Sequence, residues 1–154
     1  MKSTLYVDPG ASGGFAWRDH DGIVQAAPMP EGMTAQVDWL REWHAEASWG
    51  GQPMTTVSAV MEKVGGYMPG NSGPAAAKFA RHCGHLEAAL YCMGISTAEV
   101  APGVWMRKLG AMPKDKQERK RAIKEHVQRL FPHLKVTLKT ADALGMLAAG
   151  EGEQ

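Results

Sequence analysis

Cysteine is scarce in this chain, with only Cys83 and Cys92 among its 154 residues. The two lie nine residues apart in a segment that predicts a single helix, which separates them by about 13 Å along the helix axis. A disulfide needs its two α-carbons to lie within about 7 Å of each other. We therefore expect both cysteines to be reduced thiols, as is typical of cytosolic proteins.

Long apolar runs are also absent. The opening residues, MKSTLYVDPG, become polar after a few apolar positions and contain no signal-peptide core. No uninterrupted apolar run approaches the roughly 20 residues that a membrane-spanning helix needs. We therefore predict a soluble cytoplasmic protein that has no membrane association.

A large excess of charge of either sign is missing, since the formal net charge is +1. The charges are unevenly placed, however. Residues 1–103 contain 6 Lys and Arg against 10 Asp and Glu, whereas residues 104–154 contain 11 against 6. A basic segment of this kind is typical of polyanion binding, although a solvated helix surface gives the same pattern.

The apolar periodicity predicts an α/β fold with the element order βββαβαβα, followed by two further helices. The first three strands are expected to form an antiparallel meander. The pattern fits one domain over residues 1–149 and a disordered tail over residues 150–154. The predicted strands cover residues 4–7, 14–17, 23–27, 55–61 and 95–100, with a brief extended segment at 136–138. The predicted helices cover residues 34–48, 72–93, 102–109, 116–131 and 141–149.

Helix ends and faces add further expectations. The predicted N-caps are Thr34, Ser72 and Thr140. On the helix after Ser72, small residues recur at every fourth position and form what we call the small-residue face. A face of this kind permits close packing, either on the sheet or on a second copy of the chain. Its members are Ala76, Ala80, Gly84 and Ala88.

Three carboxylates occupy positions at which α/β proteins place functional groups. Asp8 ends the first predicted strand, Glu62 ends the fourth, and Asp142 opens the final helix. Ligands of α/β sheets gather where strand ends meet loops and helix N-termini, so we expect the three side chains to lie together. Such a cluster of oxygen ligands suits the paired magnesium ions, about 4 Å apart, that cleave phosphodiesters.

Several segments resemble RuvC-type Holliday-junction resolvases, particularly the small phage-type members. The segment YVDPGASGGFA at residues 6–16 is similar to the opening hairpin of that family, and Met61-Glu62 is similar to its fourth-strand acidic site. Residues 101–110 resemble the segment after the fifth strand, and residues 140–144 resemble the C-terminal acidic motif. The resemblance covers nearly the whole chain in order. It implies a ribonuclease H-like fold, with a mixed five-stranded sheet flanked by helices.

The resemblance also implies an activity, which is that of a homodimeric endodeoxyribonuclease in the cytoplasm of a bacterium or a phage-infected host. Such an enzyme binds four-way DNA junctions and nicks two strands symmetrically, with two Mg²⁺ ions per active site that Mn²⁺ can replace. Asp8, Glu62 and Asp142 match the catalytic, metal-binding acids of the family one by one. Bacterial relatives carry an acidic residue or a histidine three residues before Asp142, where this chain has Lys139. We therefore expect Lys139 to contact the scissile phosphate or to stabilise charge that develops on it.

The resemblance further predicts a DNA-contact surface. Relatives carry an aromatic residue shortly after the fourth-strand glutamate that stacks on a base, and Tyr67 lies five residues after Glu62. A half-exposed tyrosine without this role is the alternative. The basic segment becomes a set of predicted phosphate contacts, namely Arg107, Lys108, Lys114, Lys116, Lys120 and Lys124.

Two other functions stay open on the sequence alone. One is a nuclease of the same fold that acts on flaps, forks or RNA-containing duplexes, because the fold does not fix the substrate. The other is a nucleic-acid-binding module with a degenerate site, which the lysine at position 139 suggests. His82 and His85 are spaced like metal ligands, but no second pair has zinc-site spacing, so we assign them a packing or surface role.

Overall fold

A computed structural model of the chain describes residues 2–49, 56–65 and 72–152. Within these ranges the elements follow the predicted order. The segment 136–138, predicted to be extended, forms no strand, because the chain turns there ahead of the last helix. The strands are β1 (Lys2–Asp8), β2 (Gly14–Arg18), β3 (Val24–Pro28), β4 (Thr56–Glu62) and β5 (Ser96–Val100). The helices are α1 (Met33–Trp49), α2 (Gly73–Cys92), α3 (Pro102–Leu109), α4 (Lys116–Leu130) and α5 (Ala141–Glu151).

The strands form one mixed sheet in the order β3-β2-β1-β4-β5. β1 pairs antiparallel with β2, and β2 pairs antiparallel with β3, which confirms the predicted meander. β4 and β5 are added in parallel on the other side of β1. Since Val7 lies beside Met61 in the parallel register, the last residues of β1 and β4 are neighbours at one edge of the sheet.

Helices cover both faces of this sheet. Successive side chains of a strand point to opposite faces, and in β1 Leu5 and Val7 belong to one core cluster whereas Tyr6 belongs to another. The first cluster includes Leu40, Trp43, Leu86 and Leu90 from α1 and α2. The second includes Trp105, Ile123, Val127 and Leu144 from α3, α4 and α5.

α5 is buried on nearly all sides. Its buried residues are Ala141, Ala143, Leu144, Gly145, Met146, Leu147 and Ala149. A helix that is apolar all round belongs to a core. Because its neighbours in the helix are buried, Asp142 in the first turn is partly buried as well. It lies at the N-terminus of the helix, where the backbone dipole favours a negative charge.

Two of the three predicted N-caps, Ser72 and Thr140, occupy N-cap positions, and only Ser72 makes a side-chain capping bond. Ser72 caps α2, and its Oγ accepts a backbone N–H from the first turn. Thr34 is not a cap, because α1 begins one residue earlier, at Met33. Thr140 precedes α5, but its side chain makes no capping bond; its Oγ1 accepts the N–H of Thr137 instead and closes the preceding turn.

The last helix extends beyond residue 149, where the sequence predicts its end. α5 continues to Glu151, and the carboxylate of Glu151 accepts two hydrogen bonds from the guanidinium of Arg18 at the end of β2. This contact ties the end of the last helix to the sheet. Residues 153–154 of the predicted tail lie outside the described part of the chain.

The small-residue face of α2 does not pack on the sheet. Three of its four members are exposed and Ala76 is half-buried, whereas Leu86 and Leu90 are the buried residues of this helix. The cysteines of α2 are free, as predicted, and burial raises the pKa of the Cys83 thiol to about 11. None of the helices in the described ranges has the length and apolar character needed to cross a membrane.

Candidate active site

The three predicted acids approach one another at the carboxyl ends of β1 and β4. Asp8 is the last residue of β1, Glu62 is the last residue of β4, and Asp142 is the second residue of α5. α5 packs across β1 and β2, which brings its first turn to these strand ends. All three acids are half-buried.

The proximity of the acids is expressed in their pKa values. Burial, together with the negative charges of Asp142 and Glu62, raises the pKa of Asp8 to about 8. Burial also raises the pKa of Glu62 to about 7, with a further contribution from Asp142. The pKa of Asp142 itself is raised by burial. Carboxylates that resist ionisation in this way form a site at which a cation is favoured.

One lysine acts on all three acids. The positive charge of Lys120, on α4, lowers the pKa of Asp8, Glu62 and Asp142 and so opposes part of the effect of burial. Its neighbour Arg119 acts on Asp142 as well. The sequence predicted Lys120 only as one of several phosphate contacts, whereas in the structure its charge acts on all three acids.

The sequence resemblance predicts that the side chain of Lys139 acts at the active site. Its side chain is exposed on the turn before α5, and the lysine charge that acts on the pKa of the acids is that of Lys120. The backbone carbonyl of Lys139 packs against β2, since a Cβ at Gly14 would lie 2.7 Å from that oxygen. A catalytic role for the Lys139 side chain stays a prediction.

Glu62 also has an uncharged partner that the sequence did not indicate. The Nε1–H of Trp105 donates a hydrogen bond to Oε2 of Glu62 over 2.8 Å. This bond lowers the pKa of Glu62 and so acts against burial. The helical spacing around Trp105 predicts a core position, but it carries no information about a polar partner 43 residues away.

Glycines shape the loop that follows Asp8. Gly10 has a φ of 108°, a conformation that favours glycine, and its backbone lies against the ring of Phe79 from α2. At Gly13 a Cβ would lie 2.1 Å from the carbonyl oxygen of Asp8. The loop therefore folds back so tightly on β1 that a side chain at position 13 requires the backbone of Asp8 to move.

The predicted DNA contacts lie on α3, on α4 and between them. Arg107 and Lys108 occupy the last turn of α3, and Lys114 lies in the connection. Lys116, Lys120 and Lys124 recur every four residues and so share one face of α4. All of these side chains are exposed except that of Lys124, which is half-buried. Tyr67, the predicted stacking residue, lies outside the described residues.

The chemistry of the three acids fits a hard divalent cation. Carboxylate oxygens are the ligands that Mg²⁺ and Mn²⁺ prefer, and a bound cation offsets the burial and repulsion that raise the pKa values. Within the described ranges, no three His, Cys, Asp or Glu side chains lie close enough together to hold one ion.

A cavity of about 850 Å³ lies elsewhere on the sheet and is not this site. Hydroxyl groups of Thr4, Ser58 and Ser96, which are neighbours in the strand register, form part of its lining. The ring of Trp105 forms another part. None of the three acids lines the cavity, so the cavity is distinct from the candidate active site.

The raised pKa values predict how metal-free stability depends on pH. An acid whose pKa is higher in the folded than in the unfolded chain destabilises the fold as the pH rises from its ordinary pKa toward the raised one. For Asp8 this window runs from about pH 4 to about pH 8. In EDTA, Asp8→Asn should therefore gain stability relative to the parent protein as the pH rises across this window, by at most about 1.4 kcal/mol per pH unit, as measured by urea denaturation. A difference that does not change with pH would contradict the assignment.

No protein-family model matches the sequence, and neither does any curated protein. Several solved structures are similar in fold, among them two of RuvC. The RuvC of Thermus thermophilus in complex with a Holliday junction substrate has a TM-score of 0.57 at 16% identity, covering 97% of this chain and 92% of that chain. A second Thermus thermophilus RuvC structure has a TM-score of 0.52 at 16% identity, covering 96% and 92%. The chain therefore adopts the ribonuclease H-like fold that is found in RuvC.

Proposed function

We propose that this protein is a structure-specific endonuclease that resolves four-way DNA junctions by metal-dependent phosphodiester hydrolysis. The observation that carries the proposal is the convergence of Asp8, Glu62 and Asp142 at one strand edge, with pKa values raised by burial and, for Asp8 and Glu62, by neighbouring acids. The fold supports it, because a RuvC with this fold has been solved with a Holliday junction substrate. The finer assignment to the phage-type members rests on the sequence resemblance alone.

The three acids would hold two Mg²⁺ ions, with Mn²⁺ as a substitute. When bound, such ions provide Lewis-acid catalysis and lower the pKa of an attacking water. Asp8 would be a ligand placed between the other two acids, because β1 pairs with β4, which ends in Glu62, and packs against α5, which carries Asp142. Lys120 supplies a positive charge beside the acids, where it can stabilise charge that develops on the scissile phosphate.

The DNA would lie along the basic surface of α3 and α4, since Lys120 joins that surface to the acids. Symmetric nicking of two strands needs two active sites, so we propose a homodimer. The exposed small-residue face of α2 is the surface we assign to it, continued by Tyr91, which is 83% exposed. Sedimentation should show a dimer at assay concentrations, and a monomer there would contradict symmetric cutting.

A phosphate contact on α4 predicts a defined salt dependence. Each lysine that neutralises a phosphate contributes about one to the slope of log affinity against log salt concentration. Lys116→Ala should therefore reduce the slope for junction binding by about one. Arg41→Ala, on α1 in the opposite helical layer, is the matched control and should leave the slope unchanged. Equal slopes for the parent and both variants would show that Lys116 does not contact a DNA phosphate.

A panel of labelled substrates tests the proposed function. The protein is incubated with a four-way junction, a flap, a fork, an RNA–DNA duplex and a linear duplex in Mg²⁺ or Mn²⁺, and the cuts are mapped on each strand. We expect paired nicks at symmetric positions of the junction that disappear in EDTA. Cutting confined to flaps, forks or RNA-containing duplexes would favour the other nuclease of this fold. Binding to the junction without any cutting would favour the degenerate binding module.

A further inference from the structure

The indole N–H groups of two buried tryptophans differ in their hydrogen bonding. Trp105 in α3 is 1% exposed and Trp43 in α1 is 4% exposed. The Nε1–H of Trp105 donates to Oε2 of Glu62, whereas the Nε1–H of Trp43 has no hydrogen-bond partner among the described residues. The fold thus tolerates a buried indole without a partner. The bond from Trp105 to an active-site acid is therefore not explained by burial alone.

Gly145 makes room for the Trp105 ring. α5 passes the ring so closely that a Cβ at position 145 would lie 2.6 Å from Cζ3 of Trp105. Glycine is less favourable than alanine inside a helix, so this close approach accounts for a glycine at the position. Gly145 lies three residues after Asp142, within one turn of the same helix. The ring that bonds Glu62 therefore also packs on the helix that carries Asp142.

We propose that Trp105 is a positioning residue of the candidate active site. Its indole N–H fixes the orientation of the Glu62 carboxylate relative to Asp142, and Gly145 admits its ring. Groups that hydrogen-bond a metal ligand orient it, and their removal typically lowers metal affinity or activity about 10- to 100-fold. The metal-binding role of the Glu62 carboxylate rests on the proposed function. Its positioning by Trp105 can be measured without any cleavage.

The first test observes the hydrogen bond directly. In protein labelled with ¹⁵N-tryptophan, the indole resonances of Trp105 and Trp43 are assigned by their loss in Trp105→Phe and Trp43→Phe. At pH 9, where Glu62 is ionised, Glu62→Gln replaces a charged acceptor with a weaker neutral one. We expect the Trp105 indole proton to move upfield while that of Trp43 stays in place. An unmoved Trp105 resonance would overturn the proposal.

The second test measures the consequence for the site. Mn²⁺ affinity by calorimetry and single-turnover cleavage of a four-way junction are compared for Trp105→Phe, Gly145→Ala and Trp43→Phe. We expect the first two to weaken Mn²⁺ binding about 10- to 100-fold and, if the protein cleaves the junction, to slow cleavage, with junction affinity unchanged. Trp43→Phe, which removes a buried indole without a bond, should match the parent protein.

The outcomes separate this inference from the proposed function. If Trp105→Phe keeps the Mn²⁺ affinity of Trp43→Phe, Trp105 is a core residue only and the proposal is wrong, whether or not the protein cleaves DNA. If the parent protein cleaves no substrate but Trp105→Phe weakens Mn²⁺ binding, the proposed function fails and the positioning role stands. Thermal unfolding of each variant shows whether it has folded. If Gly145→Ala does not fold, the resonance shift in Glu62→Gln decides whether Trp105 positions the carboxylate.

Discussion

Asp8→Asn is expected to slow junction cleavage on the order of 10³-fold at saturating Mg²⁺. Asp8 ends the strand that lies between β4, which ends in Glu62, and α5, which carries Asp142, so its loss would remove the central oxygen ligand of the site. Affinity for the junction in EDTA should stay the same or increase, because a negative charge beside the DNA phosphates is removed. Single-turnover cleavage and gel-shift titration measure the two effects separately.

The stability of this variant makes the loss of activity interpretable. Since burial disfavours the Asp8 carboxylate, Asp8→Asn should be at least as stable as the parent protein at pH 8, and unfolding cannot explain its inactivity. Asp38→Asn is the matched control, because Asp38 is an exposed acid on α1 whose carboxylate forms a surface ion pair with Arg41. Wild-type cleavage by Asp8→Asn, or an equal loss in Asp38→Asn, would contradict the assignment.

Lys120→Ala is expected to slow cleavage on the order of 10²-fold with saturating DNA and Mg²⁺. Its charge lowers the pKa of all three acids, so its removal raises their pKa values further. The rising limb of the pH–rate profile should therefore move to higher pH, because the acids must be ionised to bind metal. The measurement is the cleavage rate between pH 6 and pH 10.

Two lysine variants separate this effect from ordinary DNA binding. Lys116→Ala, one helical turn away on α4, should reduce the salt slope of binding without moving the pH–rate profile. Lys139→Ala tests the expectation that came from the sequence. If Lys139→Ala loses activity at saturating Mg²⁺ while Lys120→Ala does not, the catalytic cation is Lys139 and the assignment made from the structure is wrong.

The sheet and the placement of the acids were predictable because their signals are local. Alternating or apolar runs that end at glycine-rich turns mark the strands, and a carboxylate at the last position of a strand is visible in the sequence itself. Asp8 and Glu62 become neighbours as soon as β1 and β4 are parallel and in register. The structure confirms that arrangement, and it brings Asp142 to the same edge through the packing of α5.

The partners of the acids were not predictable for a physical reason. Trp105 and Lys120 reach the site only through the packing of α3 and α4, which apolar spacing does not fix. Lys139 is singled out by the family resemblance and not by packing; its exposed side chain lies on the turn before α5, and its catalytic role stays a prediction. Thr34 is not the N-cap of α1, because the backbone N–H of Gln36 donates to the carbonyl oxygen of Gly32 and the helix therefore begins earlier.

Calorimetric titration with Mn²⁺ at pH 8 tests most directly whether the three acids form a two-metal site. The parent protein and Asp38→Asn should each bind two ions per chain, and Asp8→Asn should bind them far more weakly or not at all. The same heats and stoichiometry for Asp8→Asn and the parent, or no binding by either, would contradict the account and favour a protein that binds branched DNA without cutting it.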